Sequence, residues 1–127
     1  MKWLALSARI LLGLLFLVFG LNGFLNFLPM PALTGLAAQY MGALFVSHYL
    51  VFVFLVQIAG GLLLLVNRFV PLALTLLGPV VVNIALFHAL LAPAGLVNAV
   101  VAVVLWSIVF VEHRRAFSPI LSNQTTV

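Results

Sequence analysis

Long uncharged runs of apolar residues, interrupted by short segments rich in turn-forming residues, make up most of the chain. Four such runs contain no Lys, Arg, Asp or Glu, and they lie at about 10–28, 46–66, 70–91 and 96–111. A membrane-crossing α-helix needs roughly 20 predominantly apolar residues. Even the valine-rich fourth run is predicted to be a helix, because isolated strands leave backbone groups without hydrogen-bond partners in lipid. The pattern therefore predicts an all-α protein with four transmembrane helices.

The connections between the runs predict how these helices are arranged. The segments 67–69 and 92–95 are so short that the spans on either side of each must be antiparallel neighbours. Within 31–42, apolar residues recur at the spacing of one helical face, which predicts a short interfacial helix between the first two spans. We expect one bundle domain over 1–127 with a frayed tail at 118–127. A cleaved signal peptide is the alternative for the first run, although a small-x-small cleavage site is missing.

Composition excludes a soluble globular protein. The chain is 67% hydrophobic and 5% charged, and Glu112 is its single acidic residue. Ordinary soluble domains are about 45–50% apolar and about 25% charged. The absence of cysteine also excludes thiolate metal sites, iron–sulfur ligation and covalent c-type haem attachment by this chain alone.

The basic residues predict the orientation in the membrane. The formal net charge of +4 comes from Glu112 and five widely spaced cations, which are Lys2, Arg9, Arg68, Arg114 and Arg115. With a cytoplasmic N-terminus, all five fall on the cytoplasmic side, as the positive-inside rule favours. We therefore expect both termini in the cytoplasm. Such dispersed cations do not predict nucleic-acid binding.

Polar side chains within the spans are concentrated toward the opposite, outer side. At about 1.5 Å of rise per residue, five of them lie within about 15 Å of the outer boundary. These predicted ligand-binding residues are Asn22, Asn26, Gln57, Asn83 and His88. Asn22 and Asn26 are four residues apart and are expected to share one helical face. The alternative is that the amides form hydrogen bonds between helices and hold the bundle together.

Such a pocket would offer neutral donors and acceptors, which suit a quinone carbonyl, a lipid headgroup or a small polar solute. The sequence predicts no catalytic residue, no metal and no resident cofactor, because the sole carboxylate, Glu112, lies at the cytoplasmic end. Haem held by His48 and His88 is a disfavoured alternative, since both histidines are expected close to water at the interface.

Glycines predict where helices approach each other closely. Gly13 and Gly20 are seven residues apart on one face of the first span, and Gly60 and Gly61 are adjacent in the second. Small residues allow helix backbones to come together in lipid. We expect these glycines to serve packing rather than ligand approach.

Several motifs occur in an order that resembles the DoxX family of small four-helix membrane proteins. The most specific are Gly20-Leu21-Asn22-Gly23, then Gly60-Gly61 through Asn67-Arg68-Phe69-Val70-Pro71, then Pro79 through Asn83, Phe87 and His88. The resemblance extends from about Arg9 to Leu121. It implies a four-helix bundle in the bacterial cytoplasmic membrane, associated with quinone-linked sulfur oxidation or oxidative-stress complexes.

The chain departs from this family at charged positions. Relatives often carry an acidic residue where Gln57 and Ala92 stand and a basic residue where Phe54 stands, so a charge-dependent activity is not expected here. The leading hypothesis is a membrane protein that is non-catalytic alone and binds a quinone or lipid. One alternative is a membrane subunit of a quinone-linked oxidoreductase whose redox centre lies on a partner. The other is a small transporter that works as a homo-oligomer.

Overall fold

The fold is a bundle of antiparallel helices, seen in a computed structural model that describes residues 2–123. All regular structure within that range is helical, which confirms the all-α prediction. The five α-helices are α1 (Lys2–Leu25), α2 (Gly35–Val46), α3 (Tyr49–Val66), α4 (Val70–Leu90) and α5 (Leu96–Glu112). Four helices are long and apolar enough to cross a membrane, and α2 is the short helix predicted between the first two spans.

Several predicted boundaries differ from the structure. The short helix covers Gly35–Val46 rather than 31–42, and α3 begins at Tyr49 rather than at 46. The first helix covers Lys2–Leu25 rather than 10–28, because Arg9 is accommodated inside the helix and the helix ends before Asn26. At the other end of the chain, Arg114–Leu121 forms a 3₁₀ helix where a frayed tail was expected to begin. The rest of that predicted tail, residues 124–127, lies outside the described residues.

Side-chain contacts establish the antiparallel order. Gly13 of α1 lies against Leu65 near the end of α3, and Gly60 of α3 lies against Leu77 of α4. In α5, the indole nitrogen of Trp106 donates to the carbonyl of Leu74 at 3.1 Å. The start of α1, the end of α3, the start of α4 and the end of α5 therefore share one end of the bundle. We call it the cationic end, because it carries Lys2, Arg9, Arg68, Arg114 and Arg115.

The predicted close packing at glycines is confirmed, and it joins α1 to α3. A Cβ built on Gly61 would lie 2.7 Å from the backbone nitrogen of Leu17 and 2.8 Å from the carbonyl oxygen of Gly13. The backbones of α1 and α3 can approach this closely only because residue 61 is a glycine and has no Cβ. The core beside this contact contains the largest fully buried side chains, which are Phe16, Leu12, Leu64, Leu74, Leu77 and Val109.

Candidate functional site

The structure divides the five predicted ligand-binding residues into buried and exposed groups. Asn22 and Gln57 are buried, with 6% and 9% of their surface exposed. Asn26 and Asn83 are exposed, and His88 is half-buried. Four of the five lie in the half of the bundle away from the cationic end, and Gln57 lies at the middle of α3.

Asn22 and Asn26 act together at the end of α1 rather than along one helical face. Asn26 adopts the left-handed conformation, with φ of 52°, and its backbone nitrogen donates to the Asn22 carbonyl at 2.9 Å. Asparagine is one of the few residues other than glycine that ends helices this way. The side-chain oxygen of Asn22 accepts a hydrogen bond from the backbone nitrogen of Leu28 at 2.7 Å. This bond directs the chain out of α1 toward α2.

Asn83 holds α2 against α4. Its amide nitrogen lies 3.0 Å from the Tyr40 hydroxyl, and its amide oxygen lies 3.2 Å from the same hydroxyl. The Tyr40 ring also packs against Phe87, with centroids 5.7 Å apart. The hydropathy pattern placed Tyr40 on the apolar face of the short helix, and no local signal paired it with a residue 43 positions later.

His88 is fitted into the turn between α4 and α5. Its Nδ1 lies 3.0 Å from the carbonyl oxygen of Ile84, which accepts a hydrogen bond from it. The other side of the imidazole lies against Gly95, where a Cβ would come within 2.7 Å of Nε2. The ring therefore requires glycine at position 95, and His88 contributes to the shape of this turn.

Gln57 is the residue with unused hydrogen-bonding capacity. It lies on the buried stripe of α3 that also contains Leu50, Gly60 and Leu64. The described residues give its side chain no hydrogen-bond partner, yet its amide atoms are not sealed from a small probe. A carboxamide brings two N–H donors and one acceptor oxygen. Because these atoms are accessible, a molecule from outside the described chain can pair with them, and one such hydrogen bond contributes about 0.5–1.5 kcal/mol.

Helix α1 packs closely against α3 beside Gln57. A Cβ on Gly20 would lie 3.2 Å from the Cβ of Gln57, so glycine is what keeps α1 close to this position. One turn earlier in α3, the Phe54 ring meets Phe24 edge-on, with centroids 5.9 Å apart. The amide of Gln57 therefore lies in a setting of aromatic side chains and small residues.

Arg9 has a role that the sequence did not reveal. Its guanidinium donates to the carbonyl of Leu64, and to that of Leu65 at 3.4 Å, at the C-terminus of α3. Helix C-termini present unpaired carbonyls and a partial negative charge, so a cation stabilises them. Arg9 was predicted only as a marker of topology. The contact could have been inferred from the position of Arg9 near the start of α1, because antiparallel packing brings this part of α1 close to the C-terminus of α3.

Two surface depressions are lined by other residues than the predicted five. One, of about 420 Å³, lies at the cationic end beside the elbow 112–116. The other is an apolar groove of about 370 Å³ between α4 and α5, next to Gly78 and Trp106. Gln57 lines neither depression, so its amide is a candidate site separate from both.

Comparisons with protein-family models, curated proteins and solved structures give no match to this chain. The resemblance to the DoxX family stays a prediction from motif order.

Proposed function

We propose that this chain is a DoxX-type membrane protein, non-catalytic on its own, that binds a quinone or a lipid headgroup at Gln57. The observation that carries the proposal is the amide of Gln57, a residue 9% exposed overall, whose accessible amide atoms have no hydrogen-bond partner among residues 2–123. Polar groups buried at membrane depth are expensive unless they are paired. A ligand carbonyl or headgroup oxygen that accepts from this amide supplies the missing partner.

A quinone is the ligand class that best fits this environment. Its carbonyl oxygens accept hydrogen bonds, and its planar ring packs well against aromatic side chains such as Phe54. Small-molecule sites are mostly apolar, with a few polar groups that fix orientation. Helix α3, which contains Gln57, carries no Asp, Glu, Lys, Arg or His, so the proposed role is binding without proton transfer.

We propose further that the protein lies in the bacterial cytoplasmic membrane with both termini in the cytoplasm. The gathering of all five cations at one end of the bundle supports this orientation, because positively charged loops are retained on the cytoplasmic side. Gln57, at the middle of α3, then lies near the middle of the membrane.

Native mass spectrometry in mild detergent tests the ligand, with decylubiquinone and a short-chain phosphatidylethanolamine as probes. The Gln57→Leu variant is compared with wild type and with Gln39→Leu, which changes an exposed glutamine of α2. One hydrogen bond contributes about 0.5–1.5 kcal/mol, so we expect Gln57→Leu to bind the preferred probe up to about tenfold more weakly.

Binding of neither probe by wild type, or equal binding by wild type and Gln57→Leu, would overturn the proposal. Gln39→Leu is expected to bind like wild type. A redox subunit that co-purifies stoichiometrically would favour the alternative of an oxidoreductase membrane subunit, and the same spectra report it.

A further inference from the structure

The cationic end concentrates nearly all of the charge of the molecule. Antiparallel packing brings together side chains from four separate parts of the sequence, and Glu112 is the only acid among them. Arg9 is half-buried and occupied with the carbonyls that end α3. The remaining exposed cations are Lys2, Arg68, Arg114 and Arg115.

The chain after α5 turns back and shapes this end. Phe117 packs on Phe110 with centroids 4.9 Å apart, and it contacts the buried core of the bundle. Arg114 donates to the carbonyl of Val111 at 2.8 Å, so its guanidinium is held beside the end of α5. Between these residues lies the depression of about 420 Å³, lined by Glu112, His113, Arg114, Arg115 and Ala116.

Large apolar side chains are exposed beside the cations. At the cationic end, Trp3 is 74% exposed and Phe69 is 71% exposed, while Leu121 in the 3₁₀ helix is 82% exposed. Each lies within a few residues of a basic side chain. Cations combined with exposed tryptophan, phenylalanine and leucine are typical of surfaces that rest in the headgroup region, with apolar groups among the acyl chains.

We propose that this surface binds anionic phospholipids of its own leaflet, with the lipid phosphate at Arg114 and Arg115. Arginine donors match a phosphate in both geometry and charge. Leu121, exposed at the other end of the 3₁₀ helix that begins with Arg114, contacts the acyl chains. This combination selects a lipid rather than free phosphate, because inorganic phosphate has no apolar part to place against the exposed aliphatic and aromatic groups.

The test is a titration of the detergent-solubilised full chain with POPG and with POPC, followed by native mass spectrometry. We expect wild type to bind POPG more tightly than POPC. Each cation near an anionic lipid surface contributes a factor of about five, so the double change Arg114→Gln and Arg115→Gln should weaken POPG binding by about 25-fold. The matched double change to lysine keeps the charge and should retain most of the POPG preference.

Two further measurements on the wild-type protein test the proposal even if the glutamine variant fails to fold. For wild type, raising the salt from about 0.05 M to about 0.5 M should weaken POPG binding and leave POPC binding unchanged, because salt screens exposed charges. Inorganic phosphate at matched ionic strength should not displace POPG. Equal affinity for the two lipids, displacement by inorganic phosphate, or a glutamine variant with unchanged POPG preference would overturn the proposal.

Discussion

At the scale of single residues, the unpaired amide of Gln57 is expected to lower the stability of the bundle. Because its donors and acceptor lack partners in the ligand-free bundle, Gln57→Leu should raise stability by about 1–2 kcal/mol. Thermal unfolding in detergent without added ligand measures the change. Gln39→Leu alters an exposed glutamine of α2 and should shift the midpoint little. Destabilisation by Gln57→Leu would mean that a protein group already pairs with this amide.

The contact between α1 and α3 depends on hydrogen at Gly61. In Gly61→Ala the new methyl meets the backbone of α1, at 2.7 Å from the Leu17 nitrogen, so the helices must separate. Overpacking of this kind costs about 1–3 kcal/mol. The matched control is Gly42→Ala in α2, where a Cβ meets nothing within 4 Å. Alanine is a better helix former than glycine by about 1 kcal/mol, so Gly42→Ala should be neutral or stabilising. Unfolding midpoints that fall equally in both variants would contradict this account.

At the scale of elements, α2 is the helix most weakly attached to the bundle. Ala37 is its one buried residue in the described chain, and the Tyr40–Asn83 hydrogen bond is its polar link to α4. Tyr40→Phe removes that bond and should raise hydrogen exchange across α2 by about fivefold, which corresponds to about 1 kcal/mol. Mass spectrometry of exchanged peptides measures the effect.

Tyr49→Phe supplies the control for α2, because the Tyr49 ring is exposed at the start of α3 and its hydroxyl has no partner within residues 2–123. Exchange in α3, α4 and α5 should be unchanged in both variants. Equal protection of α2 in Tyr40→Phe and wild type would show that apolar contacts alone hold this helix.

The elements themselves could be predicted from the sequence, because hydropathy and backbone hydrogen bonding in lipid leave only helices for long apolar runs. The start of α1 at Lys2 could not be predicted from the sequence. Inside this helix Arg9 donates to a carbonyl at the end of α3, which is a contact between distant parts of the chain. The prediction that Asn22 and Asn26 share one helical face was wrong, because α1 ends at Leu25, between the two residues. The Tyr40–Asn83 hydrogen bond could not be predicted from the sequence, because it joins two helices that are not adjacent in the chain.

At the scale of the whole molecule, the distribution of charge leads to a prediction of topology. All five cations lie at one end, so no basic residue at the other end opposes a single orientation. The chain contains no cysteine, so one introduced cysteine reports one position. Ala94→Cys, at the end away from the cations, should react with a membrane-impermeant maleimide in intact spheroplasts. Ser118→Cys, at the cationic end, should react only after permeabilisation.

Both positions are exposed, so the membrane is what separates their reactivity. Labelling of Ser118→Cys alone in intact spheroplasts would reverse the orientation and place the cationic end on the outer side. Labelling of both variants would indicate two orientations, which five cations at one end should disfavour. The orientation also decides which leaflet supplies the anionic lipid, because the cationic surface that is proposed to bind it lies at one end of the bundle.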